Sequence, residues 1–158
     1  LFVGKNEENV DELCFAHAEI ADIFTRLSLR QSEWFVSDDD RFSMQALADL
    51  LREAQRRGVL TVNDLYLDEP HVIGLLLSDP VIAARWRDYR RITGTQSGAQ
   101  KPTNTYAVKV AAKKRSIDPL VQTSGGLRRF TAISADYAAK LAAFRADDFD
   151  RWVWAKYD

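Results

Sequence analysis

The spacing of apolar residues changes period near residue 94, and that change bounds what the chain can fold into. Up to Gly94 the apolar side chains recur every three to four residues, the repeat of helices with one buried stripe. From Tyr106 onward they alternate: Tyr106, Val108, Val110 and Ala112 interleave with Ala107, Lys109, Ala111 and Lys113, the period of a strand. Helices first and strands later predict an α+β fold, an N-terminal helical part followed by a small antiparallel sheet with one C-terminal helix. The predicted blocks are a helical region over 1–94, a flexible linker loop over 95–104, and a small α/β region over 105–158. The stretch from Gly94 to Asn104 carries Gly, Ser, Pro and Gln with almost no apolar residues, which is loop chemistry.

Within the first block, Val10, Leu13, Cys14, His17, Ile20, Ala21, Phe24 and Leu27 paint one stripe and predict a buried-face helix over 9–30. Ser37-Asp38-Asp39-Asp40 then reads as a polar acidic loop, followed by a helix from about Phe42 to Arg57 that stops at Gly58. Asp68 with Pro70, and Asp79 with Pro80, place a capping oxygen and a first-turn proline at the start of two further helices. In the last block, Ile117–Val121 and Leu127–Ile133 are strand candidates around a Ser124-Gly125-Gly126 turn. Ser134 caps a final helix, and the aromatic tail Phe149–Tyr157 reads as a strand.

The chain has 158 residues, 46% of them apolar and 28% charged, the balance of a folded domain. Its one cysteine excludes an internal disulfide and any Cys-rich zinc module. No stretch is apolar for long enough to span a bilayer, and no basic-then-apolar leader opens the chain, so the expected setting is cytoplasmic and reducing, without a membrane. The first residues, Leu1-Phe2-Val3, lack an initiator methionine, which suggests a fragment of a longer polypeptide.

The near-neutral total hides a segregation of charge. Residues 1–84 hold 7 Lys/Arg and 16 Asp/Glu, whereas residues 85–129 hold 11 basic and 2 acidic groups. The two regions can face each other inside the fold, or the basic one can attract phosphates. By alternation Lys109, Lys113 and Arg115 share a strand face with Lys114 opposite, and Arg128 and Arg129 follow the glycine turn. These six are the phosphate-binding candidates, since cations on a rigid strand hold phosphate oxygens at little entropic cost. The competing reading is an edge strand whose lysines guard against aggregation.

Other chemistry is sparse. His17 lies on the predicted apolar stripe and reads as a core histidine, His71 as a surface residue, and Cys14 as a packing residue. The aspartate triplet lacks the glycine and distal glutamate of a calcium loop. There is no phosphate-binding glycine loop, nucleophile elbow or HExxH, hence no catalytic residue and no metal or cofactor site to assign in this chain.

Two stretches carry a resemblance. Leu67-Asp68-Glu69-Pro70-His71-Val72-Ile73-Gly74-Leu75-Leu76-Leu77-Ser78-Asp79-Pro80, with Trp86 to Ile92, resembles the helical segment after the catalytic core of HD-domain phosphohydrolases of the deoxynucleoside-triphosphate triphosphohydrolase type. Lys113-Lys114-Arg115-Ser116-Ile117-Asp118-Pro119-Leu120-Val121, then Arg129-Phe130-Thr131-Ala132-Ile133-Ser134, is similar to their C-terminal strand region. The family is defined by a His…His-Asp…Asp metal site, and this chain contains no His-Asp dipeptide. The resemblance therefore implies the C-terminal portion of such an enzyme, inactive alone, with the divalent metal held upstream. It further implies support of a nucleotide pocket, with Lys113, Lys114 and Arg115 gripping phosphates, or of oligomer assembly with further copies or the rest of the polypeptide. The alternatives are an anion- or nucleic-acid-binding module using residues 85–129, and a protein-interaction domain.

Overall fold

Asn6 folds the chain back on itself at the outset. Its side-chain oxygen accepts from the backbone N–H groups of Glu8 (3.0 Å) and Val10 (2.9 Å), and Asn9 takes the left-handed conformation (φ 60°) that asparagine tolerates. The computed structural model describes residues 1–157. In chain order its elements are β1 (Phe2–Lys5), β2 (Asp11–Phe15), α1 (Ala18–Phe35), α2 (Asp38–Arg56), α3 (Glu69–Ser78), α4 (Pro80–Arg90), β3 (Gly94–Gly98), β4 (Ala107–Val108), β5 (Leu120–Thr123), β6 (Gly126–Arg129), α5 (Ala135–Ala146) and β7 (Trp152–Lys156). The fold is α+β, with two small sheets in which antiparallel pairs predominate.

The chain separates into two compact units, and the division is discontinuous. The first comprises Leu1–Val36 and Ala112–Phe149; the second comprises Ser37–Ala111 and the tail from Asp150. These boundaries cross the three blocks 1–94, 95–104 and 105–158, because strands near both ends of the chain pair with strands far away in sequence.

In the first unit the sheet runs β1-β2-β5-β6. β1 and β2 form an antiparallel hairpin, β5 and β6 a second one, and β2 joins β5 in parallel, Cys14 opposite Leu120 and Phe15 opposite Val121. The β5–β6 turn uses Gly126 at φ +102°, a conformation that a side chain disfavours. Phe15 and Val121 point to one sheet face, where Ala21 and Leu29 of α1 and Tyr137, Leu141 and Phe144 of α5 complete the core. Ser134 caps α5, its hydroxyl accepting from the Tyr137 N–H.

The other face of the sheet is tightest at Gly4. A Cβ placed there would stand 2.6 Å from Leu127 Cδ1 and 2.8 Å from the Cys14 sulfur. Gly4→Val is therefore expected to destabilise this unit by about 1–3 kcal/mol through overpacking. A lowered urea midpoint with an unchanged slope would register it; an unchanged midpoint would mean that the strands spread at no cost.

In the second unit Ser37 caps α2, accepting from the Asp40 N–H at 3.2 Å, and Asp38, Asp39 and Asp40 fill the first turn, where carboxylates complement the helix dipole. Asp68 and Asp79 cap α3 and α4 as their spacing predicts, Asp79 accepting from both Val81 and Ile82 N–H. Leu50, Ala54, Leu60, Leu76 and Ile82 form the helical core. The sheet is β3-β7-β4, antiparallel throughout, with Val153 of β7 fully buried against Phe42 and Val108.

Several sequence expectations need correction. The predicted helix over 9–30 begins only at Ala18; residues 11–15 are a strand, drawn out by pairing on both sides. His17 is accordingly not a core residue: it precedes α1 at the N-cap position, exposed, with no side-chain cap bond. The aspartate triplet is the first turn of α2 rather than a loop. The linker 95–104 contains most of β3, whose backbone pairs with β7 despite its loop-like composition. The alternating run 106–113 yields only the two-residue β4, and Leu127–Ile133 turns into a 3-10 helix from Phe130.

Candidate functional site: an exposed apolar face and a divided basic cluster

α1 carries its apolar residues on the unexpected side. The face turned to the core is made of small or short residues, Ala18, Ala21 and Thr25, with Leu29. Thr25, fully buried, satisfies its hydroxyl by donating to the Ala21 carbonyl at 2.8 Å. The large residues look outward: Ile20 is 54% exposed, Ile23 57%, Phe24 51%, Leu27 61% and Trp34 69%. The stripe read in sequence as core is thus largely solvent-facing, and only Cys14 and Ala21 of its eight members are buried.

β2 extends the same surface. Leu13 is exposed, and with Phe15, Ile20, Ile23, Phe24 and Leu27 it lines a groove of about 860 Å³. The Phe15 and Phe24 rings meet 5.3 Å apart at 44°, so Phe24 rests on the core with its outer side bare. Beyond Leu27 a second depression, of about 590 Å³, continues along α1 past Gln31 to Trp34. A contiguous apolar surface of this extent is rare on a monomer and marks contact with another surface.

Arg129 stands at the polar rim of the groove. Its guanidinium donates to both oxygens of Glu12 (2.6 and 3.0 Å), both oxygens of Glu7 (3.0 and 2.7 Å), and the Asp118 carbonyl (2.9 Å). The fork is therefore fully engaged within the first unit. Its hydrogen bonds hold the Glu7 and Glu12 carboxyls below the usual glutamate value of 4.5. A depressed carboxylate contributes stability that is present above the unfolded-state value and lost as pH falls through the folded-state value. The first unit is therefore expected to lose stability progressively below about pH 4.5. Arg129→Met should lower the urea midpoint at pH 7 and flatten that acid dependence. Parallel pH profiles for the two proteins would mean that the fork does not couple to stability.

The other five basic candidates are divided between the two units. Lys109 lies in the second unit, paired with Asp150 at 2.8 Å. Lys114 caps the end of α5 in the first unit, donating to the carbonyls of Arg145 and Asp147, where a helix leaves such groups unsatisfied. Lys113, Arg115 and Arg128 are exposed and without an ion pair or hydrogen bond among the described residues. Ladder pairing of the strand that was to align Lys109, Lys113 and Arg115 ends at Val108, yet exposure goes on alternating: Lys109, Lys113 and Arg115 are exposed, and Lys114 is half-buried. Arg128 and Arg129, consecutive on β6, point to opposite faces.

Among the described residues no group of three or more His, Cys, Asp or Glu is placed to hold a metal, and no helix is long and apolar enough to cross a membrane. His71 is exposed, 3.7 Å from Asp64, and Cys14 packs against the sheet, fully buried. The groove was missed in sequence because large apolar residues at helical spacing are normally core. The signal that could have found it is the second stripe of small residues, 18, 21 and 25, on the opposite side of the same helix.

Comparison with known proteins returns no match: no family model, no curated protein and no solved structure matches the chain.

Proposed function

We propose that this chain is an accessory, non-catalytic assembly region, and that it works by docking the apolar groove of its first unit on another protein surface. The observation that carries this reading is the inverted α1, with small residues inward and Ile20, Ile23, Phe24, Leu27 and Trp34 outward. Burying such side chains is worth about 25 cal/mol per Å² removed from water, which no contact within the first unit supplies at this face. The resemblance of residues 67–92 and 113–134 to HD-type nucleotide phosphohydrolases gives the assembly its class: a C-terminal region that supports a catalytic core located elsewhere. Phosphate gripping has less support, since Lys109, Lys114 and Arg129 are each committed to partners within the fold.

An anilinonaphthalene dye titrated into dilute protein, alongside light scattering, tests the docking role. Wild type is expected to take up dye at the groove or to associate through it, and Phe24→Glu to do neither while keeping its far-UV circular dichroism. A wild type that does neither overturns the reading. On the same reading the purified chain turns over no deoxynucleoside triphosphate with added manganese or magnesium, and turnover that survives repurification would refute the non-catalytic assignment.

A further inference from the structure

Resting on that assembly reading, we propose that the occupant of the groove is a second copy of this chain, α1 packing antiparallel against α1 of its partner about a two-fold axis. The first argument is spacing. Ile20, Phe24, Leu27, Gln31 and Trp34 are separated alternately by four and three residues, the repeat by which one helix accepts another along a seam. A strand or loop would not use that repeat. The seam holds one polar member, Gln31, in the manner of a position that fixes register.

The second argument is complementarity. Among the described α-helices α1 alone exposes more than one large apolar residue; α2 offers Met44, α3 Leu77, α4 Val81 and α5 none, and the 3-10 turn Asn63–Tyr66, which exposes Leu65 and Tyr66, is too short to run along a seam. The helix that matches this seam is therefore another α1. None of the seam positions is charged, so the face can meet itself without leaving a buried unpaired charge, which a symmetric interface requires. Antiparallel alignment also sets the two helix dipoles in opposition, their favourable arrangement.

The third argument is area. At about 200 Å² for a large apolar side chain, the exposed fractions of Leu13, Ile20, Ile23, Phe24, Leu27 and Trp34 amount to roughly 700 Å², close to the ~800 Å² each partner gives to a stable interface.

Sedimentation velocity over a wide concentration range reads the association directly. Wild type is expected to form a concentration-dependent dimer, and Leu27→Glu to raise its dissociation constant by at least about 100-fold with unchanged circular dichroism, since the substitution enters the interface twice. Orientation is read by cross-linking, for which the buried Cys14, the only native thiol, gives little background. Leu27→Cys, near the middle of the seam, should form an interchain disulfide with itself. Ile20→Cys and Trp34→Cys should cross-link to each other when mixed, and poorly alone. Equal self-cross-linking at all three positions overturns the antiparallel arrangement, and a dimer indifferent to Leu27→Glu overturns the interface. A wild type that stays monomeric overturns the second copy as occupant. If that monomer still takes up dye at the groove, the docking role stands with a different partner; if it does not, both fall.

Discussion

Tyr137→Ala is expected to cost the first unit about 3–5 kcal/mol, the range for deleting a buried aromatic ring and leaving a cavity. Tyr137 is fully buried on α5, its ring 5.3 Å from Phe130, and its hydroxyl donates to the Ile117 carbonyl at 2.5 Å. It thereby ties α5 to the segment that leads into β5. Tyr137→Phe separates the two contributions: it keeps the ring and strands one carbonyl, for a loss of about 1–2 kcal/mol. Urea unfolding, with hydrogen exchange of the β5 and α5 amides as a local readout, distinguishes the pair. Equal losses for both variants would place the stabilisation in the hydrogen bond and count against the packing account.

In the second unit the corresponding expectation falls on Phe42. Phe42→Ala should destabilise that unit by about 3–5 kcal/mol. The ring is 1% exposed, lies between α2 and the sheet against Val108 and Val153, and meets Tyr106 edge-on at 5.9 Å. Tyr106 in turn donates to Asp49 on α2 at 2.7 Å, which together with burial raises its own phenol above the ordinary tyrosine range. Faster exchange of the β7 amides would localise the loss. A loss under about 1 kcal/mol would mean that α2 settles onto the sheet and closes the cavity.

The parts of the fold legible in sequence are those with local causes. Asp68 and Asp79, each followed within two residues by proline, place the starts of α3 and α4, and Ser134 places α5, because a cap and its first turn are neighbours in sequence. The aromatic tail is the strand its composition suggests, β7. What escaped was set by distant partners. Residues 11–15 follow a helical repeat, yet β1 on one side and β5 on the other hold them extended. Gly94–Gly98 has the composition of a loop and becomes a strand because Trp152–Lys156 lies beside it. The candidate site failed in sequence for a related reason: periodicity identifies a stripe on a helix but not which of two stripes the rest of the chain covers. On α1 the small one is covered.

The pairing of β2 with β5 has a consequence for how such a chain is made. During synthesis residues 11–15 emerge about a hundred positions before the strand they need, and most of the second unit, Ser37–Ala111, lies between them. The second unit waits as well, since its central strand, β7, follows all its other elements in sequence. Loop closure over such separations is slow, and the unpaired edges it leaves open invite aggregation. A product that stops short of residue 152 lacks the strand that both β3 and β4 pair with, so the second unit's sheet cannot form at all.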